Sequence, residues 1–254
     1  MAIFINKKDE YEKLVQDVAT CKKCDQVKLK NKSTTIELIH DEYRIEINLW
    51  AHWQGNLDAD ILVIGQDWGR INSKEDATYW RNKKPYLTTD KTSKEYSITD
   101  NNLQKLFLQS LGIDISISND KVFFTNSVQC YKTGSLSNKT SDKWHQWCNE
   151  LFVKRLIHII KPKIIIPIGQ KALNGLKYCG TIFDANNNLL NDNYFNMKFA
   201  NIVDNGFLKL KSDYKNENIE MFVCPVFHCG AMSCNLNRKY DKQLEDWDKI
   251  KELL

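Results

Sequence analysis

Three polar side chains stand at or just after apolar runs of this sequence: Asp67, Asn126 and His228. A carboxylate, an amide and an imidazole together can orient water, read a heterocycle and stabilise a departing anion. Each alone is more simply a helix cap, a turn residue or a core histidine, but three at equivalent positions predict one site. The runs are ADILVIGQ (59–66), KVFFTNSV (121–128) and MFVCPVF (221–227).

The cysteines suggest a second kind of chemistry. Cys21 and Cys24 form a C-x2-C knuckle, and Cys130 and Cys148 are separated by seventeen residues. Four thiolates from two such pairs can complete a tetrahedral site, which accepts zinc or an iron–sulfur cluster; the ligands alone do not decide between them. We expect the other four cysteines to be free thiols: Cys179, Cys224, Cys229 and Cys234.

The elements that position these residues alternate along the chain. A fourth apolar run, KIIIPIG (163–169), joins the three above, and near-continuous apolar runs are typical of strands buried on both faces of a parallel sheet. Strands alternating with helices predict a three-layer α/β/α sandwich with a central four-stranded parallel sheet, whose ligands bind at the carboxyl ends of the strands. Helices are predicted at 9–20, 101–113 (cap Asp100), 141–160 (cap Ser141 or Asp142), 170–176 and 238–254.

Composition sets the class of protein. The 254 residues are 42% hydrophobic and 27% charged, which excludes a disordered or fibrous chain. The N-terminus has no apolar signal segment and no apolar run reaches 18 residues, so we expect a cytoplasmic protein with no membrane partner. A net charge of +4 weakly favours a polyanionic partner. We expect a monomer with one domain over 1–254, which includes a small hairpin within 26–58 and a long loop at 70–95.

At this point the sequence resembles the uracil-DNA glycosylase superfamily, and most closely its iron–sulfur branch, often called family four. The resemblance covers about residues 10–238 and is most specific in VFFTNSVQCYK, Cys148 and KPKIIIPIG. It implies a uracil-DNA glycosylase-like fold, DNA as the partner and a 4Fe–4S cluster on Cys21, Cys24, Cys130 and Cys148, with zinc as the less favoured occupant. It also implies that the cluster fastens the N-terminal segment (9–24) to the loop between Cys130 and Cys148.

The resemblance implies a role for each site residue. Asp67 matches the water-activating aspartate of one branch, although the iron–sulfur branch usually has alanine there. Asn126 matches the asparagine that reads the flipped base, and His228 the histidine that stabilises the leaving base. Met232 matches the leucine that wedges into the emptied stack. The remaining base-binding candidates are Gln66 and Trp68 from the GQDWG motif, and Tyr96, which matches the aromatic residue that stacks on the base.

Departures from the family pattern cluster around the base pocket. Trp68 replaces a proline, Gly69 stands where the uracil-strict branch has a tyrosine that excludes thymine, and Cys229 replaces a proline. The 70–95 stretch is an insertion. An amide such as that of Asn126 can rotate to match cytosine as well as uracil.

Three functions follow from these residues. The leading prediction is a glycosylase that removes uracil in DNA repair. The second is a glycosylase for a bulkier base, such as hypermodified cytosine in phage DNA, in a defence role. The third, of another class, is a cluster-bearing nucleic-acid-binding protein without catalysis.

Overall fold

The computed structural model of the chain describes residues 6–24, 27, 29–31, 34–36, 38–39, 55–67, 91–92, 97–116, 120–132, 140–230 and 233–254. Its strands are β1 (Leu29–Asn31), β2 (Thr34–Ile36), β3 (Leu38–Ile39), β4 (Ile61–Gly65), β5 (Val122–Asn126), β6 (Tyr131–Lys132), β7 (Ile164–Pro167), β8 (Thr181–Phe183), β9 (Leu208–Tyr214) and β10 (Glu217–Val223). Its helices are α1 (Lys7–Thr20), α2 (Ile98–Leu106), α3 (Asp142–Cys148), α4 (Lys154–Ile160), α5 (Gln170–Leu176), α6 (Asp192–Phe195), α7 (Phe199–Asp204) and α8 (Tyr240–Lys251). π-Helical segments span Phe107–Leu111, Asn149–Val153 and Ser233–Asn237.

The main sheet has the strand order β5–β4–β7–β10–β9–β8. Its first four strands are parallel, and they are the four that the apolar runs predict. Their carboxyl ends therefore meet at one edge. The predicted three-layer α/β/α architecture is confirmed.

Alternation along the strands builds the two helix layers. Leu62 and Ile64 of β4 join the apolar cluster under α1, α3, α4 and α5, whereas Ile61 and Val63 join the cluster under α2 and α8. All four are fully buried. Successive side chains of a strand point to opposite faces, so a continuous apolar run is required where both faces carry helices.

Two antiparallel strands extend the sheet beyond the predicted four. β9 pairs with β10 and β8 in antiparallel register, and Lys215 and Asn216 form the turn between β9 and β10 with positive φ at both positions. In β9 buried Leu208 and Leu210 alternate with Lys209 and Lys211. Such alternation marks a strand with one solvated face, which a search for continuous apolar runs overlooks.

The helix boundaries differ from prediction mainly at the caps. The N-cap of α2 is Ser97 and not Asp100, because the Ser97 side chain accepts a hydrogen bond from the Asp100 backbone N–H. Gly112, with φ +68°, ends the π-helical segment that continues α2, as predicted for a glycine at the end of a helix. The predicted 141–160 helix begins after Ser141 and runs as α3, a π segment and α4 to Ile160.

The N-terminal strands only partly match the expected hairpin. β1 and β2 form an antiparallel pair, and β3 pairs with β6. Most of the stretch in which the hairpin was predicted, and the 70–95 insertion apart from residues 91–92, lie outside the described residues. Among the described helices, none is long and apolar enough to cross a membrane.

Candidate active site

The ends of β4 and β5 are joined side by side at the carboxyl edge. Gly65 is the register partner of Asn126. Past the strands, the Ser127 N–H donates to the Gly65 carbonyl (2.8 Å) and the Val128 N–H donates to the Gln66 carbonyl (3.0 Å). The loop that carries Asp67 and the loop that follows Asn126 therefore form one hydrogen-bonded unit.

Asp67 lies on this unit with an oriented carboxylate. Its Oδ2 accepts a hydrogen bond of 2.8 Å from Nε2 of Gln66, and both side chains are half-buried. The structure thus gives Gln66 a contact with the carboxylate, where the sequence predicts a contact with the base. A hydrogen bond to one oxygen limits rotation of the group.

His228 reaches the same edge through an extension of β10. Val226 bridges to Ile168 in parallel fashion, and the Gly169 N–H donates to the Val226 carbonyl (2.8 Å). His228 follows two residues later. Its Nδ1 accepts a hydrogen bond of 3.0 Å from the Gly230 backbone N–H. In the neutral imidazole the proton is therefore on Nε2, which becomes the donor.

The surroundings of His228 favour its neutral form. Loss of hydration among the surrounding protein atoms lowers the pKa of the imidazole, and the nearby carboxylate of Asp67 opposes this by raising it. The side chain is nevertheless exposed to solvent. Water or a ligand can therefore reach the imidazole.

Helix α2 holds the loop that carries His228. The Asn102 side chain donates to the carbonyl of Cys229 (2.8 Å), and the Cys229 thiol donates to the carbonyl of Thr99 (3.4 Å). A Cβ on Gly230 would lie 2.9 Å from Nδ1 of His228 and 3.1 Å from Oγ1 of Thr99. Only glycine leaves room for this close approach of loop, helix and imidazole.

Asn126 is buried, with 2% of its surface exposed. Its carbonyl accepts a short hydrogen bond from Nε2 of Gln129. No hydrogen bond joins its side-chain amide to another residue within the described part of the chain. The amide is thus held at the strand end with donor and acceptor groups available to a ligand.

A buried polar network behind Asn126 was not foreseen from the sequence. Ser127 Oγ lies 2.7 Å from Nδ1 of His145 and accepts a hydrogen bond of 2.7 Å from Asn149, and Nε2 of His145 lies 2.8 Å from Oγ1 of Thr140. Ser127 is fully buried, so its pairing with His145 is not that of an accessible nucleophile. The only sequence signal is the presence of His145 and Asn149, four residues apart, on a helix face that also carries Cys148.

Three of the four cysteines predicted to be ligands lie in contact with one another. The Cys148 thiol is in hydrogen-bonding contact with Cys130 and Cys24, and all three are buried. Contact with Cys130 lowers the pKa of the Cys148 thiol, but contact with Cys24 and burial outweigh this and raise it to about 12. Cys21 is half-buried against the same apolar cluster, and its Sγ accepts a hydrogen bond from the Lys23 N–H (3.4 Å).

The fit of this set to a metal can be tested on its chemistry. Among the described residues, no three His, Cys, Asp or Glu side chains have the arrangement of a finished metal site. The donors are nevertheless all sulfur, and three of them, Cys24, Cys130 and Cys148, lie together in the core, which suits zinc or an iron–sulfur cluster and not a hard cation. The predicted ligands therefore fit the group in kind.

Three predicted site residues lie outside the described part of the chain: Trp68, Tyr96 and Met232. Their roles stay predictions.

Two of the four cysteines expected to be free thiols are close to each other. The Cys234 thiol donates a hydrogen bond to the backbone carbonyl of Cys229 (3.3 Å).

Comparison with known proteins gives two findings. A family model described as the uracil DNA glycosylase superfamily matches residues 52–251. A curated protein of Sulfurisphaera tokodaii, the type-4 uracil-DNA glycosylase, is 23% identical over 245 residues, which cover 96% of this chain and 85% of that protein. The range matched by the family model includes Asp67, Asn126 and His228, and begins after Cys21 and Cys24.

Proposed function

Because the chain belongs to the uracil DNA glycosylase superfamily and is therefore a DNA glycosylase, we propose that it removes uracil from DNA in base-excision repair. The observation that carries this proposal is the meeting of Asp67, Asn126 and His228 at one edge of the sheet, with the Nε2 proton of neutral His228 as donor. The similarity to the type-4 uracil-DNA glycosylase of Sulfurisphaera tokodaii supports uracil as the base.

The reaction separates charge, and Asp67 acts on the positive side of it. Breaking the N-glycosidic bond leaves positive charge on the sugar, which a nearby carboxylate stabilises while it orients the attacking water. The hydrogen bond from Gln66 to Oδ2 holds the carboxylate in one rotamer. Orientation before the reaction matters because it removes reorganisation from the barrier.

His228 acts on the negative side. The departing base carries negative charge on its ring oxygens, and the Nε2–H of the neutral imidazole donates a hydrogen bond to one of them. The Gly230 N–H on Nδ1 keeps the proton on Nε2. Removing one preorganised donor of this kind typically costs about 2.7–4 kcal/mol of transition-state stabilisation.

Asn126 recognises the base that has left the stack. Its buried amide offers one donor and one acceptor, which complement the O4 and N3–H edge of uracil. Flipping the base costs a few kcal/mol, and an apolar wedge, assigned here to Met232, offsets part of that cost. We assign stacking on the base to Tyr96 and a further contact with the base to Trp68.

The cysteines Cys21, Cys24, Cys130 and Cys148 would hold a 4Fe–4S cluster. Their contacts and the all-sulfur donor set support this assignment. When bound, the cluster would supply a covalent cross-link between the segment after α1 and the segment around α3. Trp144, whose Nε1 donates to the Val27 carbonyl (3.2 Å), already joins the same two segments without it.

A bulkier modified base is the second candidate substrate. The sequence departures at Trp68, Gly69 and 70–95 favour it, because all of them border the base pocket in the family pattern. Shortening 72–92 would then change the ratio of excision of a bulky modified cytosine to that of uracil. An unchanged ratio with a weaker salt dependence of binding would mean that the loop contacts only the DNA backbone. The non-catalytic alternative is not supported, since the chain belongs to an enzyme family.

The deciding experiment is a panel of oligonucleotides that contain uracil, a thymine mismatch, hypoxanthine or a modified cytosine, scored for abasic sites. We expect uracil to be excised fastest, and Asp67→Asn to lower its excision rate by at least about a hundredfold. Excision of none of these bases by the metal-loaded protein would overturn the proposal.

A further inference from the structure

We infer that Gln129 and Asn149 are positioning residues. Through them, the placement of Cys130 and Cys148 fixes the placement of Asn126 and the two residues after it, here called the base-reading loop (126–128). Each is the immediate chain neighbour of a proposed ligand, Cys130 or Cys148. Gln129 donates hydrogen bonds to Thr125 and Asn126, the last two residues of β5, and Asn149 donates to Ser127, the residue that follows them. The inference rests on the proposed function, because it assigns these residues a part in presenting Asn126 to the base.

The first connection runs through Gln129. Its Nε2 donates to the carbonyl of Asn126 and to Oγ1 of Thr125 (3.2 Å). The side chain is 1% exposed, so water cannot replace these bonds easily. A shift of the Cys130 backbone therefore moves the amide that holds the Asn126 carbonyl.

The second connection runs through Asn149. Its Nδ2 lies 2.7 Å from Ser127 Oγ, 3.2 Å from the Ser127 carbonyl and 2.7 Å from the His145 carbonyl. Asn149 is the first residue of the π segment that separates α3 from α4. π-Bulges change the direction of side chains within a helix and are frequent at functional sites.

Ser127 and the residue after it connect this network to Gly65 and Gln66, which directly precede Asp67. The Ser127 backbone N–H donates to the carbonyl of Gly65, and the next N–H, of Val128, donates to the carbonyl of Gln66. Gln66 in turn holds Asp67. Hydrogen bonds thus connect the cysteine segments to the backbone of Asn126, whose amide reads the base, and through Gln66 to the carboxylate of Asp67.

Close packing leaves this network little freedom to adjust. A Cβ on Gly175 of α5 would lie 2.5 Å from Ser127 Oγ and 2.6 Å from Nδ2 of Asn149. The Cys179 thiol also contacts Asn149, 3.7 Å from its Oδ1. A buried hydrogen-bond network that is closely packed on all sides has only one arrangement available. Displacing a residue at one end therefore displaces the residues at the other end.

The test compares Asn149→Leu and Gln129→Met with Gln146→Ala. The first two remove the buried donors and keep the side-chain volume. Gln146 is the matched control, since it lies on α3 but bonds to Glu150 at the surface (2.9 Å). Gly175→Ala is a second route to the same network, because it presses on Ser127 and leaves every donor in place. Each metal-loaded protein is assayed for iron and zinc content, binding to abasic-site DNA and single-turnover excision of uracil.

We expect the three network variants, Asn149→Leu, Gln129→Met and Gly175→Ala, to keep their metal content and DNA affinity. Their excision rate per folded molecule should fall by at least about tenfold. The control should match the parent protein. A role in folding alone would lower the melting temperature and the folded fraction, and would leave the rate per folded molecule unchanged. That result, or an equal rate in the network variants and the control, would overturn the inference.

Hydrogen exchange provides a readout that does not need activity. We expect Asn149→Leu to accelerate exchange of the Ser127 and Val128 amides, while peptides from β9 and β10 stay protected as in the parent. Uniform acceleration across the sheet, or no local change, contradicts the inference. If no variant and no parent protein excises any base, the proposed function fails, and hydrogen exchange alone decides the structural connection.

Discussion

The backbone N–H of Gly230 donates to Nδ1 of His228 at 3.0 Å, and this bond decides which imidazole nitrogen can serve the substrate. The bond exists because glycine allows the loop to fold back onto the ring, where a Cβ would come within 2.9 Å of Nδ1. The same loop is fastened to α2 by Asn102. The orientation and tautomer of His228 are therefore set by the backbone of its own loop and by a side chain of α2.

Gly230→Ala should lower the excision rate by about tenfold or more with little loss of folding. The added methyl group displaces the imidazole and weakens the bond that keeps the proton on Nε2. Single-turnover assays and a melting curve measure the two effects separately. A variant with parental activity would mean that the tautomer of His228 is not set by this bond.

Asp67→Asn and His228→Ala should each lower excision by at least about a hundredfold and leave DNA binding nearly intact. Both side chains act mainly on charge that develops in the transition state. Excision rates and the affinity for a non-cleavable analogue distinguish these effects. Parental rates in both variants would show that the site has been assigned to the wrong residues.

The excision rate should rise with pH through the lowered pKa of His228 and then level off. Loss of hydration next to the surrounding protein atoms lowers this pKa, so the neutral form, which the mechanism requires, predominates down to a pH below the ordinary histidine value of about 6.5. NMR titration of the imidazole checks the position of the midpoint. Asp67→Asn removes the charge that raises the pKa, so the midpoint should move to still lower pH.

Asp246→Ala should destabilise the fold by about 3–5 kcal/mol, because it leaves the buried guanidinium of Arg238 without its main partner. Arg238 donates to both oxygens of Asp246, through Nε at 2.8 Å and Nη2 at 2.5 Å, and its guanidinium lies over the ring of Phe227. Asp204→Ala is the control. Its carboxylate binds the same Arg238 but is 53% exposed, and it should cost less than about 1 kcal/mol. Urea unfolding measures the free energy of unfolding of both variants. Equal losses of stability would contradict the assignment of Asp246 as the main partner of Arg238.

The purified protein should contain iron and sulfide and be brown, and Cys130→Ala should impair folding more than chemistry. The contacts of Cys148 with Cys130 and Cys24 place these thiols where a bound group would cross-link two segments. Metal analysis decides between the possible occupants. Stoichiometric zinc without iron would show that the cluster assignment is wrong.

The sequence by itself determined which four segments form the parallel strands and which residues end them. Four continuous apolar runs can be stable only between two helix layers, and parallel strands bring their carboxyl ends to one edge. Asp67, Asn126 and His228 follow from that rule and from the resemblance of their motifs. The caps were harder, since Ser97 and Asp100 are both good N-cap residues and local geometry selects between them.

Only the tertiary structure decided how the site residues are held. β9 combines lysines with leucines, and its place in the sheet depends on pairing with β10 and not on its own hydrophobicity. Asn149 and Ser127 are 22 residues apart in sequence, and His228 owes its tautomer to the folding back of Gly230. Hydrogen-bond partners of this kind depend on distances that arise when separate segments pack together, and the order of residues along the chain does not specify them.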